Sequence, residues 1–369
     1  MPMVYDHGMT DLHMQEKELL EKAPVVLDNR RDAGLEGLVG GLDAVIINVE
    51  QDRLVPATRE LLRYTGHTCE EAFSDPSAST FTLSRAGSAS LILRSRNRGY
   101  NPFERFNTAP AAGALPNTRL ETLVFTTPDI REYVAVQKER GVTFLTDMPV
   151  KLRSGLFIQT QPSQFTGNAL GFVEWHTDDH RSYLPVSGIT KEPLLPKPSF
   201  GYEKNISVLD HAATRVRAQE RNAAILEFLS LTNYHYDFAV YVKSLNSITS
   251  VARRTKDDFA MVFTSGITPD TGAEPSGPTE KFIHNYGTRV HHVAFSTADI
   301  ERTVGALKDD GLAFLLDLVG SEEEGLRQIF SVPSLHTLLV TEYIQRYGGF
   351  DGFFTRSNVE LLTKATEQQ

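Results

Sequence analysis

The sequence predicts an α+β protein of two domains, each built from two β-α-β-β-β modules whose mostly antiparallel strands curl into a half-barrel around a cavity. Three observations carry this expectation. The stretch Arg119-Leu-Glu-Thr-Leu-Val-Phe-Thr-Thr-Pro-Asp-Ile130 has a twin in Arg289-Val-His-His-Val-Ala-Phe-Ser-Thr-Ala-Asp-Ile300. The twins keep register without a gap through a helix to Gly141-Val-Thr-Phe-Leu145 and Gly311-Leu-Ala-Phe-Leu315, then to Asp147 and Asp317. Register held across strand, turn, helix and strand marks an internal duplication. Finally, Leu42-Asp-Ala44 and Leu209-Asp-His211 open two halves alike, and four prolines between Pro185 and Ser199 separate them.

In chain order, residues 1–37 read as an arm with a short helix around Asp11 to Lys22. The N-terminal domain (38–184) opens with the apolar strand Leu42 to Val49. A helix from Leu54 to Tyr64 and strands near Thr80 to Leu83 and Ser90 to Arg94 follow. Gly, Asn and Pro make Arg96 to Pro116 a loop. The first twin comes next, and the strand Gly171 to Trp175 closes the domain. A linker (185–204) leads to the C-terminal domain (205–369). Its expected elements are a strand at Ile206 to Ala212, a helix at Arg217 to Ser230, and strands at Tyr236 to Val242 and Asp258 to Phe263. A mobile loop from Ile267 to Thr279 precedes the second twin, then strands at Leu326 to Ser331 and Leu338 to Arg346, and a final helix at Asn358 to Thr366.

The 369 residues suffice for two cores. The balance of 37 Lys+Arg against 47 Asp+Glu, net -10, disfavours nucleic acid and anionic membranes as partners. No apolar run reaches membrane-spanning length, and the polar N-terminus has no signal-peptide core. A single cysteine, Cys69, forms no internal disulfide, which fits a cytoplasmic protein.

The twins differ where chemistry could enter. Glu121-Thr122 in one copy is His291-His292 in the other, and Ala44 in one domain opening is His211 in the other. A fold that accepts Thr122 does not need a histidine there for packing. At the far end, Phe172-Val-Glu174-Trp aligns with Val340-Thr-Glu342-Tyr, so both copies are expected to keep the glutamate. The C-terminal domain thus gathers His211, His292 and Glu342. Two neutral imidazoles and one carboxylate on one face suit non-heme Fe(II), with open positions for a chelating substrate and O2. His291 is expected on the opposite face of its strand, as a surface or supporting residue, unless the strand bulges. The run His176, Asp178, Asp179 and His180, and the pair His7 and His13, read as a solvated loop and arm rather than ligands.

The residues of the C-terminal half resemble the 4-hydroxyphenylpyruvate dioxygenase and 4-hydroxymandelate synthase family of the vicinal-oxygen-chelate superfamily. The matching pieces are Leu209-Asp-His-Ala212, Val290-His-His-Val-Ala-Phe295, Gln328-Ile-Phe330, Glu342-Tyr-Ile-Gln-Arg346 and Gly352-Phe353 before Asn358. The resemblance implies a two-domain vicinal-oxygen-chelate fold, and Fe(II) held by His211, His292 and Glu342. It implies a 2-oxo acid that is decarboxylated and hydroxylated with O2, no separate co-substrate being needed. Ser250, Ser265, Gln328, Phe330 and Asn358 fall where the family lines its substrate pocket, and Phe353 with the final helix where it gates the metal. A homo-oligomer, dimer or tetramer, is expected, with the N-terminal half supplying its surface.

Several positions depart from the family pattern: His291 replaces a glutamine, Phe263-Thr-Ser265 a Pro-x-Asn, Val340 an aromatic residue, and Val359 a phenylalanine. The segment from Leu315 to Gln328 is short. Losing aromatic contacts of ~0.5–1.5 kcal/mol each would reshape specificity while leaving the metal chemistry alone. The alternatives are an extradiol-type ring-cleaving dioxygenase acting on catechols, and a binding protein of the same superfamily with no metal.

Overall fold

A computed structural model of the chain describes residues 10–177, 181–270, 276–350, 352–367 and 369, with side chains from residue 15 onward. Helix α1 (Thr10–Asp32) comes first. The N-terminal half then contains β1 (Leu42–Asn48), α2 (Leu54–Tyr64), β2 (Thr68–Ser74), β3 (Ala78–Ser84), β4 (Ser90–Arg96), β5 (Arg119–Thr126), α3 (Ile130–Glu139), β6 (Val150–Lys151), β7 (Gly155–Gln159), β8 (Ala169–Trp175) and β9 (Thr190–Lys191). The C-terminal half contains β10 (Ile206–Arg215), α4 (Arg221–Leu231), β11 (His235–Val242), β12 (Ser247–Arg253), β13 (Ala260–Ser265), α5 (Gly277–Tyr286), β14 (Arg289–Thr297), α6 (Ile300–Asp309), β15 (Val319–Ser321), β16 (Leu326–Phe330), β17 (Val340–Arg346) and α7 (Arg356–Ala365).

These elements make two curled sheets, ordered β6-β7-β8-β5-β1-β4-β3-β2-β9 and β11-β12-β13-β10-β14-β17-β16-β15. Each half is β-α-β-β-β written twice. The outer strands of every module pair in parallel (β1 with β4, β5 with β8, β10 with β13, β14 with β17). The two modules of a half join antiparallel, β1 to β5 and β10 to β14. The twin helices start alike, Asp129 and Asp299 accepting backbone N–H groups of the first turn.

The sequence expectations need four corrections. Gly141 to Leu145 and Gly311 to Leu315 are not strands. Each glycine sits at positive φ as the helix ends, and one residue per copy then pairs, Phe144 with Thr160 and Phe314 with Ser331. Strands β2, β7 and β12 were not read from the sequence, because Glu70-Glu71 and the Ser/Thr pattern of β12 lack an apolar alternation. They complete the modules. The segment read as a loop to Thr279 enters α5 at Gly277, and residues 271–275 lie outside the described residues. The arm helix is also longer than expected, running through Pro24 to Asp32. It packs on α4, where buried Arg30 donates to the carbonyls of Leu229, Thr232 and Tyr234. Buried Glu16 accepts from the hydroxyls of Tyr236 and Tyr241 and pairs with Arg221.

One face of each sheet packs with the helices into a core shared by both halves. Phe125 meets Phe228 and Tyr234, with ring centroids 5.9 and 5.4 Å away. Two buried arginines at equivalent positions cross the boundary reciprocally: Arg119 donates to the Thr288 carbonyl and Arg289 to the Thr118 carbonyl. The opposite face of each sheet carries its own smaller clusters and is left for a site.

His67 lies in the shared core. Its Nε2 is 2.9 Å from the Ala89 carbonyl and its ring edge meets Phe295. Burial holds its pKa down at about 4. An unfolded histidine titrates near 6.5, so the unfolded state binds the proton first as pH falls. Stability present at pH 7 is therefore lost between about pH 6.5 and 4, by up to roughly 3 kcal/mol from this residue. Urea unfolding at pH 7 and pH 4.5 should show that loss, and His67→Gln should be correspondingly less sensitive to the pH change.

Candidate metal centre

Two irregularities in the β10–β14 pair aim the site. Asp210 is an extra residue between the pairs Leu209–Phe295 and His211–Ala294, and His291 an extra residue between Ala213–His292 and Thr214–Val290. Such bulges redirect the side chains beside them. Both recur in the β1–β5 pair, at Asp43 and Glu121, so the duplication extends to the bulges. The bulge overturns the expectation of a surface role for His291. It is buried at 1% exposure and lines the same cavity as His292. Its Nδ1 lies 2.8 Å from Nδ1 of His292, and its Nε2 2.7 Å from Oε1 of Gln369.

His211, His292 and Glu342 converge, with one ligand atom from each within 4.8 Å of the others. Glu342 Oε2 is 3.1 Å from His211 Nε2 and 3.3 Å from His292 Nε2. His211 Nε2 is buried yet forms no hydrogen bond despite that distance, so it does not point along the line to the carboxylate. Atoms that aim at a common point rather than at each other behave this way. Ligands bonded at about 2.1 Å and at right angles lie about 3 Å apart, so the donor set fits a divalent cation.

The supporting contacts fix the orientation of each donor. Asp210 lies 2.8 Å from His211 Nδ1, which turns Nε2 to the centre. Arg346 donates to both Asp210 oxygens, and Ser296 to one of them. Gln328 Nε2 donates to Glu342 Oε1 over 2.6 Å, and Asn358 Nδ2 to Gln328 Oε1 over 3.0 Å. Phe330 lies 4.7 Å from the His292 ring, and Phe353 and Phe354 each 5.3 Å from that of His211. Burial opposes charge on His211, but the charges of Glu342 and Asp210 prevail and hold its pKa at about 9. Burial, with His291 and His211 beside it, pushes His292 well below the usual range.

The N-terminal copy has no equivalent donors. Its counterparts of His211 and His292 are Ala44 and Thr122. The expected pairing of Glu174 with Glu342 does not hold. Glu342 lies across from Ala294, and the residue across from the matching Val124 is Gly171. Glu174 instead corresponds to Gln345, and both accept from the first N–H of the twin helix, at Ile130 and Ile300. The sequence alignment was three residues out of step because both strands carry a glutamate.

Ser250 and Ser265 are turned from the cavity. Ser250 pairs with Phe263 and Ser265 with Ile248, on the opposite face, while Thr249, Thr264 and Arg215 face inward. A one-residue slip moves a side chain across the sheet. Gln328 and Phe330 line the cavity, Asn358 reaches it through Gln328, and Phe353 covers His211. His176 is exposed, while His7, Asp178, Asp179, His180 and the side chain of His13 lie outside the described residues. Asp210 and Arg346 were missed as supports, although both stand inside the motifs that carry the resemblance.

Among solved structures, a mutant of 4-hydroxymandelate synthase from Streptomyces coelicolor superposes with a TM-score of 0.68 at 20% identity, covering 89% of this chain and 98% of that chain. A xylose isomerase-like TIM barrel/4-hydroxyphenylpyruvate dioxygenase fusion protein superposes with a TM-score of 0.61 at 16% identity, covering 89% of this chain and 52% of the fusion. The fold is of the vicinal-oxygen-chelate type. No protein-family model and no curated protein matches the chain. At these identities the likeness carries the fold, and the metal-binding capacity rests on the geometry of the three donors.

Substitution and pH each have an expected effect on metal affinity. Glu342→Ala should abolish tight Co(II) binding, and Gln328→Ala should weaken it about 10- to 100-fold, as loss of a ligand's hydrogen-bond partner does. A ligating nitrogen must be free of its proton. With His211 held at about 9 in the metal-free chain, apparent affinity should fall about tenfold per pH unit from pH 9 to 7. Titration followed by Co(II) absorption measures both.

Proposed function

We propose that the protein is an Fe(II)-dependent dioxygenase that decarboxylates and hydroxylates its own 2-oxo acid substrate. The observation that carries this reading is a buried carboxylate and two imidazoles aimed at one point beside a cavity. The likeness in fold to a 4-hydroxymandelate synthase and to a 4-hydroxyphenylpyruvate dioxygenase fusion supports it. Bound there, a ferrous ion would supply a redox-active Lewis acid with neighbouring positions open to the 2-oxo acid and O2.

The chain's own groups have defined parts. Asp210 keeps the proton of His211 on Nδ1 and leaves Nε2 free. Gln328 binds one oxygen of Glu342 and leaves the other facing the imidazoles. Phe330, Phe353 and Phe354 exclude bulk water. The cavity is only about 40 Å³, and Phe354, Val359 and Leu362 line it. That is room for about one water, so substrate entry displaces the Phe353–Phe354 segment and α7. Because Asn358 on α7 holds Gln328, this movement reaches the Glu342 carboxylate. Gln328, Phe330, Phe353 and Asn358 would contact substrate, and on β12 and β13 Thr249 and Thr264 would do so rather than Ser250 and Ser265. In the overall reaction one oxygen atom enters the new carboxylate as CO2 leaves, and the other enters a C–H bond of the same molecule. A homo-oligomer belongs to this reading and is measured by light scattering.

Anaerobic protein loaded with Fe(II), mixed with aryl and aliphatic 2-oxo acids and then exposed to O2, should release CO2 in step with O2 uptake. His211→Ala should reduce turnover at least 100-fold. Catechol cleavage without CO2 release would establish the ring-cleaving alternative, and no turnover across the panel would refute the proposal.

A further inference from the structure

The duplication leaves a second cavity in the N-terminal sheet, at the place corresponding to the metal-site cavity. Its wall residues Ile46 and Ile92 pair across β1 and β4 as Ala213 and Val262 pair across β10 and β13. Its volume is about 260 Å³, against about 40 Å³ in the C-terminal half. The three metal-ligand positions are Ala44, Thr122 and Gly171 here, and among the described residues the one candidate metal cluster is that of the C-terminal half. The N-terminal cavity therefore has no use for a metal.

It does contain a cation. Arg94 lines this cavity, and its guanidinium has no ion pair or hydrogen bond among the described residues. Two carboxylates act on it through space without a direct contact: Glu121, whose other oxygen receives Arg96 over 2.6 Å, and Asp75, which stands on the cavity wall and accepts from the N–H groups of Ser77 and Ala78. Thr80 pairs directly across from Arg94, so its hydroxyl shares the same face. Most of the rest of the wall is apolar, Ile46, Ile92, Phe73 and Leu152 among it, with Thr146 and Gln159 as further polar groups. An arginine fork in a partly dry cavity is the arrangement that receives a carboxylate through two parallel hydrogen bonds. The volume is near the lower end of small-molecule sites, about 300–1,000 Å³.

We propose that this cavity is a binding site for a small monocarboxylic acid with an apolar body, its carboxylate on Arg94 and Thr80 and its body against the isoleucine wall. The site carries out no chemistry and is independent of the metal centre. The test uses full-length, metal-free protein carrying His211→Ala, which silences the C-terminal site, and 3-phenylpropionate as the probe. Calorimetry should give one binding event per chain. Arg94→Met should weaken it at least tenfold, 3-phenylpropionamide should bind at least tenfold more weakly, and acetate, lacking the body, should bind more weakly still. Ile92→Trp, which fills the cavity, should abolish binding. In chains retaining His211, both variants should still take up one Co(II), which separates loss of the site from loss of the fold. Absence of binding, equal binding of the amide, or undiminished affinity in Arg94→Met would each overturn the proposal. None of the calorimetric outcomes bears on the metal centre, because the carboxylate titrations are run without metal on His211→Ala chains.

Discussion

Burial of the Glu342 carboxylate between two imidazoles is the constraint around which the C-terminal half is arranged. An ionised carboxylate taken out of water costs several kcal/mol unless positive charge and hydrogen bonds offset it. Gln328 satisfies one oxygen and is itself held by Asn358. The other oxygen faces His211 and His292. In the metal-free chain a proton on His211 provides the balancing charge, and Asp210 with Arg346 stabilises that proton from behind. A divalent cation held by the three donors would provide the same balance and would displace the proton. Protonation and metal binding are thus competing solutions to one electrostatic problem.

The N-terminal half shows the same frame relieved of that problem. The bulges, the strand order and the helix contacts recur, but Ala44, Thr122 and Gly171 bring no charge. Thr122 is satisfied by Gln159, and apolar side chains surround Ala44 and Val124. Glu121, the counterpart of His291, is paired with Arg96. The bulged aspartate also persists: Asp43 accepts from Trp175, Arg181 and Tyr183, where Asp210 serves His211 and Arg346. The backbone device is present in both copies, with metal-binding side chains in only one of them.

The two halves are joined through a common core rather than tethered by the linker alone. Arg119 and Arg289 each donate to the carbonyl that precedes the other's strand. Tyr343, next to the Glu342 ligand, donates to the Tyr64 carbonyl of the other half. The arm helix adds a further clamp on α4 and β11. The three candidate donors therefore rest on strands whose reverse faces are packed against the N-terminal half, and this limits how far they can shift.

Much of this was legible in the sequence. The duplication gave the module order, and the contrast of Thr122 with His292 and of Ala44 with His211 singled out two ligands. The third, Glu342, was found by motif, although the glutamate aligned with it was the wrong one. Tertiary structure decided the rest. Strand pairing fixed the bulge that turns His291 inward, set Gly171 opposite Val124, and put Thr249 rather than Ser250 on the cavity face. A linear pattern specifies which residues are apolar and how often they recur. It does not specify where an extra residue interrupts a ladder, and one such residue moves every following side chain to the other face.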